Sequence, residues 1–154
     1  MSAYTIRPAT PRDLDSVLHH RRRMFEEMGF NDPAALQAML ASSAPMLQDG
    51  LSEGSYRGWL AEAAGGGIVA GGGVVILRFL PHPVDPKPRR AWVVNIFTEP
   101  EHRRRGLARR LMETIIEWCR AEEMGLLYLH ASDDAHPLYE SLGFKATNEM
   151  RLAL

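Results

Sequence analysis

Cysteine is almost missing from this chain. Cys119 is the only one in 154 residues, so no internal disulfide can form. Long hydrophobic runs are missing too. No apolar stretch reaches the roughly 20 residues that cross a bilayer. The opening residues, Met1-Ser2-Ala3-Tyr4-Thr5-Ile6-Arg7-Pro8, lack the apolar centre of a signal peptide. Charge of one sign is also missing: 18 Lys and Arg against 19 Asp and Glu give a net charge of −1. No global field therefore draws the protein to nucleic acid or to an anionic membrane. These absences predict a cytoplasmic protein with neither a nucleic-acid nor a membrane partner. What is present is ordinary globular composition, 45% hydrophobic and 24% charged. A chain of this length can bury a core without metal or disulfide staples. No internal repeat and no composition break divides it, so one domain over residues 1–154 is expected.

The pattern alternates between strand and helix signals. Residues 4–7 read as a short strand. Thr10 and Pro11 suit a helix start, and Leu14, Val17, Leu18, Arg21, Phe25 and Met28 then share one stripe, closed by Gly29. Asp32-Pro33 opens a second helix through Leu36, Met39 and Leu40. Residues 59–62 and 68–70 are strands around a glycine turn, the second running on through Gly71-Gly72-Gly73 to Leu77. The triple glycine fits a bulge, a close backbone approach or a weak strand. Pro81, Pro83, Pro86 and Pro88 mark an exposed loop. Residues 91–98 form the next strand. A long helix follows from about Gly106 to Met124, with Leu107, Leu111, Ile115 and Trp118 on one side and Gly125 as its stop. Residues 126–130 predict a central strand, 134–142 a short helix ended by Gly143, and 144–152 a last strand. The order β-α-α-β-β-β-α-β-α-β is an α/β domain with a mixed sheet.

The most informative segment joins the strand at Ile96-Phe97-Thr98 to Arg103-Arg104-Arg105-Gly106-Leu107-Ala108-Arg109. The first turn of a helix carries unpaired N–H groups and partial positive charge, so an anion there gains hydrogen bonds and a favourable field. Gly106 and Ala108 are small enough for a phosphate to approach the backbone. Arg104, Arg105 and Arg109 can add charge-assisted contacts. A solvated basic loop is the ordinary alternative. Yet arginines at a helix N-terminus repel its field, and a bound anion relieves that repulsion. A P-loop would need Gly-Lys-Ser/Thr here, and nucleic-acid binding would need aromatic platforms; neither is present.

Arg103 to Ala108 resembles the Gln/Arg-x-x-Gly-x-Gly/Ala signature of the GNAT acetyltransferases. Pro137-Leu138-Tyr139-Glu140-Ser141-Leu142-Gly143-Phe144 resembles the second signature of that family. The two stand in the family's order, and the element order agrees across nearly the whole chain. The resemblance implies the GNAT acyl-CoA N-acyltransferase fold, a central mixed, mostly antiparallel twisted sheet flanked by helices. It implies transfer of the acetyl group of acetyl-CoA to a primary amine of a small molecule, by direct attack in a ternary complex and without a metal. Backbone groups of Ile96, Phe97 and Thr98 would meet the pantetheine arm. Arg104, Arg105, Gly106, Leu107, Ala108 and Arg109 would hold the pyrophosphate. Tyr139 would protonate the departing thiolate. Ser132 stands where many relatives carry an asparagine that contacts the cofactor arm.

The general base has no obvious owner. Relatives often carry a glutamate on the strand before the signature, but this strand reads Trp92-Val93-Val94-Asn95-Ile96, and an amide cannot take a proton. A chain of waters is the expected route, with His130 or an N-terminal glutamate in reserve. Missing carboxylate chemistry also keeps a non-catalytic acyl-CoA-binding regulatory module open. Protein amines remain alternative acceptors, and a homodimer is compatible with the pattern. Arg21 breaks the apolar stripe of the first helix. It either binds an acidic group of the substrate or pairs with an internal carboxylate.

Overall fold

The computed structural model describes residues 3–154. Five strands form one sheet in the order β1-β2-β3-β4-β5: Tyr4–Pro8, Tyr56–Ala63, Ile68–Arg78, Arg89–Thr98 and Leu127–Tyr128. The first four are antiparallel and β5 is parallel to β4. This is the mixed, mostly antiparallel sheet expected from the sequence.

Alternating side chains give the sheet two apolar faces. One packs Val17 of α1 (Leu14–Glu27) and Leu47 of α2 (Pro33–Glu53) against Tyr56, Val75 and Val94. The other packs Leu107, Leu111, Met112 and Ile115 of α3 (Leu107–Ala121) against Trp59, Val74, Ala91 and Val93. Tyr139 of the short α4 (His136–Ser141) joins this second core. Arg7 fastens β1 to the start of α1. Its guanidinium grips Asp13 through two hydrogen bonds of 2.8 and 2.9 Å and donates a third, of 2.7 Å, to Glu62 on β2. The same Asp13 carboxylate accepts the Thr10 N–H at 2.7 Å, which is the predicted helix start in a different hydrogen-bonding form.

The triple glycine is a close-approach device as well as a bulge. β3 and β4 lose register between Gly71 and Gly73. A Cβ on Gly71 would stand 2.7 Å from His20 Nδ1, and one on Gly72 or Gly73 would collide with Ile96 or the Tyr56 hydroxyl. Side chains from both layers therefore fill the space that β3 vacates.

Several expectations need correction. The second helix, read as far as Leu40 with no end assigned, runs to Glu53, with Pro45 inside it and left-handed Gly54 as its cap. Burial of Leu47 and Gly50 against the sheet sustains it past the proline. The stop of α3 is left-handed Glu123 rather than Gly125. Gly125 instead lets the chain pass Asp85, whose carboxylate accepts its N–H at 3.0 Å. The strand expected over 126–130 shrinks to Leu127–Tyr128 and lies at an end of the sheet rather than at its centre. The strand expected over 144–152 is absent from the described residues. Phe144 packs on Tyr139, but Met150, Leu152 and Leu154 are exposed, so the alternation there faces no core.

Candidate active site

Two features of β4 shape the site. Asn95 adopts φ 62°, a left-handed conformation that asparagine tolerates better than most residues. Three steps of β4, from Val94 to Phe97, match two steps of β3, from Gly73 to Gly71, so β4 bulges there. The bulge turns the Asn95 side chain into the α1–α2 layer, where it is 2% exposed. Its amide donates to the Tyr56 hydroxyl at 3.3 Å and accepts from Arg21 Nη1 at 2.9 Å.

The second feature is divergence from β5. The two strands pair only at Ala91–Leu127 and Trp92–Tyr128. Beyond Trp92, no strand among the described residues covers that edge of β4. Ile96, Phe97 and Thr98 lie along the open edge, with the Ile96 side chain packed on the α3-side core. Phe97 is 4% exposed beneath His19, His20 and Arg103. The Thr98 carbonyl is already engaged, accepting from Arg103 Nε at 2.9 Å.

The strand then leads through a turn into α3. Arg104 and Gly106 have φ of 59° and 77°. Alternating left-handed residues turn successive N–H groups toward one side, the geometry of anion-binding concavities. Gly106 is the N-cap of α3, and a Cβ on it would meet nothing within 4 Å. The concavity is therefore open in front of the first helical N–H groups, which include those of Leu107, Ala108 and Arg109.

The three arginines named for this loop differ in their engagement. Arg104 is exposed and makes no hydrogen bond or ion pair to the described residues. Arg105 donates to the Glu101 carbonyl at 3.3 Å. Arg109 donates to Ser141 Oγ at 2.7 Å, which joins α3 to α4 and the first motif to the second. The neighbouring Arg103, by contrast, is spent on Glu27 of α1 and on Thr98.

Tyr139 stands 8% exposed, its ring edge-on to Phe144 at 5.8 Å between centroids. Its hydroxyl has no hydrogen-bond partner among the described residues, yet it is not sealed from solvent. Burial pushes the phenol above its ordinary value of 10.0, so it stays protonated at neutral pH. Ser132 caps the 3-10 turn before α4, is exposed and makes no side-chain hydrogen bond there.

Other candidates resolve differently. His130 is an exposed histidine bonded to Glu149 at 2.8 Å and packed on Trp92. Glu99 bonds His19 at 2.6 Å, tying the end of β4 to α1. Cys119 is buried and its thiol is pushed up to about 11, so it stays a thiol. Among the described residues no group of three or more His, Cys, Asp or Glu is placed to hold a metal ion. No helix there is long and apolar enough to cross a membrane.

His20 was invisible as a site feature in the sequence. It is 2% exposed against Phe97 and the Gly71 backbone. Burial lowers its pKa to about 4, His19 adding to the effect and Glu99 opposing it. The unfolded chain takes up this proton near 6.5, while the folded chain resists until about 4. Stability is therefore full above 6.5 and falls as pH drops toward 4, by about 3 kcal/mol. Urea unfolding of wild type and His20→Asn at pH 7.5 and 4.5 checks this. The gap between the two proteins is expected to narrow at the lower pH; a constant gap would contradict it.

A model of the acetyltransferase (GNAT) family matches residues 14–144. The crystal structure of a GCN5-related N-acetyltransferase from Ralstonia eutropha JMP134 superposes with a TM-score of 0.90 at 33% identity, covering 98% of each chain. A crystal structure of a predicted acetyltransferase with acetyl-CoA from Clostridium acetobutylicum superposes with a TM-score of 0.86 at 21% identity, covering 98% of this chain and 96% of that one. Human N-acetyltransferase 8 is 32% identical over an alignment of 73 residues that covers 44% of this chain and 32% of that protein. The chain thus matches about a third of the length of this curated relative.

Proposed function

The chain belongs to the GNAT acetyltransferase family, and on that premise we propose that residues 1–154 act as one domain that moves the acetyl group of acetyl-CoA to the primary amine of a small molecule. One observation carries the reading. β4 loses its partner after Trp92 and runs directly into the open left-handed turn at the head of α3. An extended amide-bearing arm finds unpaired strand edge along Ile96–Phe97, and a pyrophosphate finds N–H groups at Gly106–Arg109. Arg104 is free to close over the anion, and Arg105 and Arg109 flank it. Ser132 is available to the arm at the mouth of the turn before α4.

The chemistry is direct. The neutral amine attacks the thioester carbonyl, the C–S bond breaks, and the Tyr139 hydroxyl gives its proton to the leaving thiolate. The new ammonium loses its proton to water, since Asn95 occupies the middle of β4 and cannot take one. Calorimetric titration with acetyl-CoA, beside free acetate and ATP, tests the reading. Saturable micromolar binding of acetyl-CoA, followed by release of free CoA with an amine panel, is expected. Binding with no turnover of any amine would leave a regulatory acyl-CoA module; no binding by folded protein would overturn the proposal.

A further inference from the structure

The arginines of α1 are not alike. Arg22 and Arg23 bind Glu26, and Arg103 reaches across to Glu27. Arg21, the residue just before Arg22, has no carboxylate partner among the described residues. Its half-buried guanidinium is wedged between α1, α2 and β4. Nη1 donates to Asn95 Oδ1 at 2.9 Å, and Nε lies 3.2 Å from both Ser43 Oγ and Met39 Sδ. The Phe25 ring lies 5.1 Å from the guanidinium carbon. Every one of these partners is neutral. Burial lowers the Arg21 pKa, and the buried Tyr56 phenol opposes that shift. Among the described residues, no internal carboxylate pairs with Arg21.

A partly desolvated cation without a counter-ion is costly to keep. It is also incompletely used. A guanidinium offers five N–H donors, and Nη2 donates to nothing among the described residues. That nitrogen is not sealed off, since no buried side-chain nitrogen or oxygen is left without a partner. The remaining Nη1 and Nη2 hydrogens form the planar pair that matches the two oxygens of a carboxylate. Asn95 fixes this pair at the β4 bulge, one residue before the edge proposed to carry the pantetheine arm.

We propose that Arg21 binds a carboxylate of the acceptor, so that the substrate is a small primary amine bearing an acid group, as in an amino acid. This rests on the acetyltransferase reading above. Steady-state kinetics of CoA release would compare amino acids of increasing amine-to-acid spacing with their carboxamides and with aminoalkyl phosphates. At the best spacing, the carboxylate form is expected to exceed its carboxamide in kcat/KM by about 10–100-fold. Arg21→Gln should erase that preference, with the loss for the acid appearing in KM and acetyl-CoA affinity staying within about twofold. Arg21→Lys should restore part of it. Carboxamides turned over as well as or better than the acids would overturn the inference, and so would a preference for phosphates. If Arg21→Gln does not fold, the wild-type comparison of acid with carboxamide decides alone. Wild type that binds no acetyl-CoA at all would instead sink the function itself, a separately visible result.

Discussion

Tyr139→Phe is expected to lower kcat by about 10²–10⁴, the usual worth of a positioned proton donor, while acetyl-CoA binds with nearly unchanged affinity. The expectation follows from what the substitution removes. The ring fills the α3-side core and meets Phe144 edge-on, and phenylalanine keeps that ring. The hydroxyl has no hydrogen-bond partner among the described residues, so its loss leaves no buried group there unsatisfied and costs little stability. A drop in kcat then cannot be a folding defect, and a melting curve close to wild type confirms that. The pH profile adds a second readout. Burial raises the phenol above 10.0, so Tyr139 is in its proton-donating form throughout the neutral range and causes loss of activity only above pH 10. Unchanged kcat in Tyr139→Phe would assign protonation of the thiolate to water.

The parts of this fold that were legible are those set by local pattern. The stripe of α3 buries Leu107, Leu111 and Ile115 as its spacing demanded. The helix start near Pro11 and the left-handed stops at Gly29 and Gly143 were also readable. Non-local effects were not. Asn95 read as a polar residue in an apolar strand, because a bulge depends on the register of the strand beside it. α2 continues past Pro45 because its far half packs on Tyr56, a tertiary gain that outweighs the proline penalty. Arg103 opens the basic run, and nothing local shows that it is held by Glu27, 76 residues away. The alternation over 144–152 described a strand that finds no sheet edge here. At the site, the resemblance to the two family signatures pointed to the loop and to Tyr139, whereas the Arg21–Asn95–Tyr56 chain spans α1, β2 and β4 and exists only once they pack.

Gly106→Glu is expected to weaken acetyl-CoA binding by roughly 100-fold, about 3 kcal/mol, which is the loss of one or two charge-assisted hydrogen bonds. The position tests the anion directly. At φ 77° any side chain is strained, by about 1–2 kcal/mol. A Cβ there nonetheless meets no protein atom within 4 Å, so the chain still folds and the side chain occupies the open concavity. A carboxylate in that space competes for the N–H groups of the first helical turn and repels a pyrophosphate. Gly106→Ala separates the two effects. It carries the same backbone strain without the charge, so it should lose similar stability by thermal melting yet retain most of the affinity measured by calorimetry. Equal affinity losses in the two variants would mean that backbone geometry, and not an anion in front of α3, governs binding. Wild-type affinity in Gly106→Glu would place the pyrophosphate elsewhere. The expected ordering, wild type above alanine and alanine far above glutamate, with stability equal for the last two, follows only if the turn from Arg104 to Arg109 faces the negative charge.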